Sequence, residues 1–179
     1  MGCDIHLKTF IFSKVENRMV PVSDVGSDLT TFTTIVGDRN YDLFGLFGNN
    51  VRSWYPELEC LKYGYPDCIS KTMLAWMNSS DYHTRRYCMA EDLITSLNNY
   101  KERLLDPKKF MEYYDVTDDF IVDVVEGKIP LENYKTYHKN IIESIDAVLT
   151  KIKRLKDDFW GMEDIVDTSK IMFVTWMDN

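Results

Sequence analysis

The chain opens Met1-Gly2-Cys3-Asp4-Ile5-His6-Leu7 and runs on through Thr9-Phe10-Ile11-Phe12, a stretch rich in β-branched and aromatic residues. That composition predicts a strand over residues 3–13, followed by a polar turn at Val15 to Arg18 and a second strand at Met19-Val20-Pro21-Val22. Pro21 lacks a backbone donor, which marks this second strand as an edge. Alternate side chains of a strand share a face, so Asp4 and His6 fall on one face and Cys3, Ile5 and Leu7 on the other. The far end, Lys170-Ile171-Met172-Phe173-Val174-Thr175-Trp176-Met177-Asp178-Asn179, is a strand signature as well. A chain that starts and stops on strands predicts an α+β fold: a small, mostly antiparallel sheet containing both terminal strands, packed by a pair of long helices.

The helices are read between those ends. Met89, Leu93, Leu97, Tyr100 and Leu104 step by threes and fours into one apolar stripe. Asp106-Pro107 separates it from two shorter candidates, Pro107 to Tyr114 and Thr117 to Glu126, with Thr117 as N-cap and Gly127 as stop. Pro130 opens the longest element, to about Phe159, with a seam of Tyr134, Tyr137, Ile141, Ile145, Val148, Ile152, Leu155 and Phe159. The seam is expected to pack in cis on the earlier stripe. Residues 1–179 are thus expected to form a single domain with a helical excursion at roughly 85–160. Residues 23–34 read as a surface loop, 37–50 as a loop around one or two helical turns, and 51–80 as a long aromatic-rich connection containing a short helix over 70–78.

Composition narrows the function. With 179 residues, 45% of them hydrophobic, the chain can bury a substantial core. A formal charge of -8 makes nucleic-acid binding driven by overall charge an unfavourable expectation. No run of about 18 apolar residues predicts a membrane span. The four cysteines, Cys3, Cys60, Cys68 and Cys88, show no CxxC spacing and no secretory leader precedes them, which predicts reduced thiols in a cytoplasm. Gly2 invites a myristoylation reading, but that motif requires Ser or Thr where this chain has His6.

The polar motifs are few. Asp4-x-His6 returns as Asp81-Tyr82-His83, so two of the three histidines share one local pattern. Together Asp4, His6, Asp81 and His83 offer a donor set for a divalent metal that would activate water for hydrolysis; equally, each carboxylate could fix an imidazole tautomer or cap a turn. Asp4-x-His6, Gly37-Asp38 and Gly48-Asn49 follow the order of metallophosphoesterase ligand blocks, but Asn50 stands where that fold needs a histidine. Arg39, Asn40 and Tyr41 present a guanidinium, an amide and a ring suited to a phosphorylated ligand, or else an ion pair and a helix entry. Arg85-Arg86 reads either as an anion site or as a solvated helix start. His138 is expected at the surface or flank of the long helix. Cys3 and Cys88 read as small buried apolar residues, with a Cys3–His6 thiolate–imidazole pair as the competing reading.

The words Met1-Gly2-Cys3-Asp4-Ile5-His6, Arg39-Asn40-Tyr41-Asp42-Leu43-Phe44, Gly64-Tyr65-Pro66-Asp67, Asp81-Tyr82-His83-Thr84 and the final apolar strand together resemble a family of small proteins encoded by bacteriophages and prophages. The resemblance spans both ends of the chain. It implies that Asp4, His6, Arg39, Asn40, Tyr41, Asp81 and His83 meet in space. Where that family often has a second His and a Trp after the first His, this chain has Arg85, Arg86 and Tyr87. Three functions are compatible with the pattern: an accessory protein holding a small anionic, nucleotide-like ligand, a metal-dependent phosphate or nucleotide hydrolase at the same residues, and an acidic module that binds a host protein. Whether the chain is an enzyme stays open at this point.

Overall fold

The computed structural model describes residues 5–22, 41–48, 55–69, 71, 74–75 and 82–178. The organising strand is β5 (Val166–Asp178). Its run Ile171 to Met177 has no polar alternation, and all seven residues are buried. Continuous apolarity belongs to a strand covered on both faces. Accordingly β5 is central, flanked by β1 (Ile5–Ser13) and β4 (Tyr82–Met89), both antiparallel to it. Outside them lie β2 (Arg18–Pro21) and β3 (Lys62–Tyr63), giving the order β2-β1-β5-β4-β3. Both terminal strands are therefore in one sheet, side by side, and Pro21 stands on an edge strand.

The two faces of β5 serve two apolar clusters. Ile171, Phe173 and Met177 join Leu7, Ile11 and Cys88 in the large core under the helices. Met172, Val174 and Trp176 pack with Phe10 and Ile69 on the other face. The helical layer begins with α1 (Tyr41–Leu46) and continues with α2 (Ala90–Leu104), whose stripe Leu93, Leu97, Tyr100 and Leu104 is fully buried. Then come α3 (Pro107–Tyr114), α4 (Asp119–Val125), α5 (Leu131–Tyr137) and α6 (Lys139–Asp157). The buried seam of α6, Ile141, Ile145, Val148, Ile152 and Leu155, shares that core with the α2 stripe. A buried Leu or Ile contributes roughly 2 kcal/mol, against about 1 kcal/mol for an N-cap, so the stripes hold the layer and the caps set its boundaries. Those caps are Asp106, accepting from the Lys108 and Lys109 N–H groups, and Asp118, accepting from Phe120 and Ile121.

Four local expectations need correction. The helical stretch starts at Ala90, not near residue 85, because Tyr82–Met89 pairs with β5 as a strand. The cap of α4 is Asp118 rather than Thr117. The expected helix from Pro130 to Phe159 is broken at His138, which separates α5 from α6. His138 itself is not at the surface; it has no exposed area. The expected loop 23–34 lies outside the described residues.

Candidate functional site

The described residues of the two Asp-x-His segments, His6 of β1 and Tyr82-His83 of β4, flank the C-terminal end of β5. Met177 is paired on one side with Ile5 of β1 and on the other with His83 of β4, while His6 pairs with Trp176 and Tyr82 with Asp178. Neighbouring strands lie about 4.8 Å apart, so His6 and His83 flank one strand at a backbone separation of roughly 10 Å, in register with Trp176 and Met177, which face opposite sides of the sheet. Gly48, which follows α1, approaches the β4 residues after His83. A Cβ on Gly48 would lie 3.2 Å from the Thr84 methyl, 3.1 Å from Arg86 Nε and 3.2 Å from Glu57 Oε1. Only glycine suits that approach, because its φ of +104° is also left-handed.

Thr84 carries the clearest local strain. Its φ is +51°, within the irregularity between His83 and Arg86 where the β4 ladder slips against β5. For a β-branched residue this conformation costs about 1–3 kcal/mol, and such strain clusters at functional sites. Sequence reading gave no sign of it.

Of the seven expected site residues, His6 is the one whose side chain is described. It is half-buried and stacks on Trp176, with ring centroids 5.5 Å apart and planes 16° from parallel. Tyr41 and His83 are described through their backbone only, as the first residue of α1 and a residue of β4. Asp4, Arg39, Asn40 and Asp81 lie outside the described residues. His6 and α1 belong to different layers: Trp176 is on the outer face of the sheet, whereas Leu43, Leu46 and Phe47 pack into the core beneath α6.

Cations line this end on the outer face. Lys8 pairs with Val174, two residues from the His6–Trp176 pair and hence on the same face. The Arg85 guanidinium lies 5.5 Å from the ring centroid of Tyr65, which packs on the Trp176 cluster. Arg86 turns the other way. It forms a largely buried ion pair with Glu57, whose second oxygen accepts from Arg86 Nη2 at 3.3 Å, and it covers the Tyr63 ring at 3.8 Å. The Arg85-Arg86 pair is thus divided by strand alternation: Arg86 is neutralised structurally, and Arg85 stays with the outer face. It is not a helix start.

The third histidine is a core residue. His138 Nδ1 lies 3.0 Å from the Tyr55 hydroxyl, and the Tyr134 ring meets the imidazole edge-on at 4.3 Å. Burial lowers its pKa to about 4, opposed by the Asp118 carboxylate. Burial likewise pushes the phenols of Tyr55, Tyr100 and Tyr134 upward, so this cluster is neutral throughout the ordinary pH range.

Among the described residues no group of three or more His, Cys, Asp and Glu side chains is arranged to hold a metal ion. Of the four expected ligands, only His6 is in that set with its side chain. No described helix is long and apolar enough to cross a membrane. No family model, curated protein or solved structure matches this chain.

Proposed function

We propose that the chain is an accessory protein of the bacteriophage type its sequence resembles, which binds a small anionic, nucleotide-like ligand at the end of the sheet. Asp4, His6, Arg39, Asn40, Tyr41, Asp81 and His83 are its binding residues. The observation that carries this reading is the approach of β1 and β4 to the same end of β5, where His6 pairs with Trp176 and His83 with Met177. The approach of Gly48 to Thr84 brings the end of α1, the helix that Tyr41 opens, to β4. Lys8 and Arg85 supply local positive charge in a chain of net charge -8, where an anion otherwise meets repulsion. In this role Arg39 engages phosphate oxygens through its planar fork of donors, and His6, oriented by Trp176, donates beside it.

A second reading uses the same geometry. His6 and His83 flank β5 one register position apart, and a divalent ion held by Asp4, His6, Asp81 and His83 would make the protein a phosphate or nucleotide hydrolase.

Thermal melting with ATP, with inorganic phosphate and with magnesium or manganese separates the two. Ligand at about 100 times its Kd stabilises by about 2.7 kcal/mol, which for a chain of this size is a rise of roughly 5–10 °C in Tm. The binding reading expects that rise with ATP in the absence of metal and its loss in Arg39→Ala and His6→Ala. Metal-dependent phosphate release that is lost in an Asp4→Ala, His83→Ala double variant selects the hydrolase instead. No shift with any nucleotide or metal overturns both and leaves the acidic surface, with a host-protein partner, as the functional feature.

A further inference from the structure

A pair of adjoining grooves lies away from the sheet end, beside α2. Asp92, Ser96, Asn99 and Arg103 each precede a residue of the buried stripe Leu93, Leu97, Tyr100 and Leu104, so they form a polar row along one side of it. Thr95 stands between Asp92 and Asn99 at helical spacing. The opposite wall is the turn before β3, where Leu58 and Leu61 are buried and their N–H groups donate to the Leu46 and Leu58 carbonyls at 3.0 and 3.2 Å. Glu59, between those anchors, lines a groove of about 300 Å³ with the polar row of α2. Arg103 is a wall of this groove and also of a second one of about 300 Å³, lined by Lys109, Glu112 and Tyr113. It is fixed in place: Nη1 donates to Glu59 Oε1 at 2.9 Å and to the Tyr114 hydroxyl at 3.4 Å, and the guanidinium carbon stands 3.4 Å from the Tyr113 ring centroid.

We propose that these two grooves bind a neutral saccharide of at least two rings, whose hydroxyls bond to Asp92, Thr95, Asn99 and Arg103 and whose apolar ring face lies on Tyr113. Three features support it, independently of the ligand reading above. First, most of the charge is already matched within the protein. Arg103 pairs with Glu59, Lys109 with Asp106 at 3.8 Å and Glu112 with Lys108 at 3.9 Å. An ionic ligand would compete with these pairs, whereas a hydroxylated one leaves them intact. Asp92 is the remaining carboxylate, and a lone exposed carboxylate holds an amine only weakly in water.

Second, the unused hydrogen-bonding groups are of mixed kind. Among the described residues the Asp92 carboxylate, the Thr95 hydroxyl, the Asn99 amide, and Nε and Nη2 of Arg103 make no hydrogen bond. A sugar hydroxyl both donates and accepts, so neighbouring hydroxyls are met by an acceptor-only carboxylate, a donor-only guanidinium and groups that do both. Arg103 is already ordered by Glu59 and Tyr113, so little side-chain freedom is lost when it binds.

Third, Tyr113 is 51% exposed, with Arg103 on one face of its ring. The remaining surface is a flat apolar body with a polar tip, suited to the C–H face of a pyranose. Each groove is at the small end of the range for ligand sites. That size suits one sugar ring per groove, with the link passing Arg103.

The experiment is saturation-transfer NMR on the whole chain with maltose, cellobiose, lactose and N,N′-diacetylchitobiose, and with spermidine as a cationic comparison. At least one disaccharide is expected to receive magnetisation at its ring C–H protons, with a Kd on the order of 1 mM or tighter. The double variant Asp92→Ala, Asn99→Ala changes two exposed positions of a helix to its best former. It should weaken binding about tenfold or more, the loss expected from two hydrogen-bonding groups. Tyr113→Ala should abolish transfer to the C–H face with no change in Tm of the free protein. If the double variant is unfolded by thermal melting, Tyr113→Ala still decides. Absence of transfer to every disaccharide, transfer unaffected by these variants, or spermidine binding that depends on Asp92 while no sugar binds, overturns the proposal.

Discussion

Acid should weaken this fold through one buried imidazole. His138 has no exposed area, faces Tyr55, Tyr134 and Phe110, and lies within the field of Asp118. Its folded pKa is about 4, against 6.5 in the unfolded chain. Above pH 6.5 both states hold the neutral ring and nothing is lost. As the pH falls below 6.5, the unfolded state gains a proton that the folded state refuses, so stability falls until the pH reaches about 4. Each pKa unit of difference is worth 1.36 kcal/mol, which sets a ceiling of roughly 3 kcal/mol. Between pH 7.5 and pH 5 the loss works out at about 2 kcal/mol. Urea denaturation at the two pH values, on the wild type and on His138→Gln, isolates this contribution from that of the carboxylates. Gln keeps an acceptor for the Tyr55 hydroxyl and has no proton to gain. The acid-induced loss should be about 2 kcal/mol smaller in the variant. An equal loss in both proteins would show that His138 is hydrated and charged in the folded state, and the reasoning would fail.

Other consequences concern the scaffold of the site. Arg86→Ala strands the Glu57 carboxylate, whose side chain keeps 20% of its surface exposed; the cost should be about 2–3 kcal/mol, somewhat under the roughly 3–5 kcal/mol of a fully buried pair. Lys108→Ala, which removes a solvent-exposed partner of Glu112 3.9 Å away, should change stability by less than about 0.5 kcal/mol, and equal effects in the two urea titrations would contradict this ranking. Gly48→Ala forces a Cβ into the Arg86–Glu57–Thr84 contact at a φ of +104° and should cost about 1–3 kcal/mol; a neutral result by thermal melting would mean that the segment after α1 does not pack on β4.

The elements legible in the sequence were those whose burial follows a local period. The α2 stripe from Leu93 to Leu104 and the α6 seam from Ile141 to Leu155 are buried as their spacing requires, and the uninterrupted run Ile171 to Met177 is the central strand. What escaped reading depends on partners distant in the chain. Tyr82–Met89 looks like a polar helix entry because nothing local announces that Glu57 will neutralise Arg86 or that Tyr65 will cover Arg85. His138 interrupts a helical seam for the sake of a hydrogen bond to Tyr55, 83 residues earlier. The candidate site is intermediate. The repeated Asp-x-His spacing pointed to two segments, of which the described His6 and His83 pair with Trp176 and Met177 on either side of β5; the Trp176 stack on His6 and the strained Thr84 had no sequence signal.

The central claim is that the two Asp-x-His segments form one anion-binding site. It is tested most directly by the imidazole signals of the three histidines in a carbon–proton NMR correlation spectrum during titration with ATP. His138, buried against Tyr55, is the internal reference. The account predicts that His6 and His83 shift together along one saturation curve while His138 stays in place. Movement of neither, or of one without the other, would contradict it.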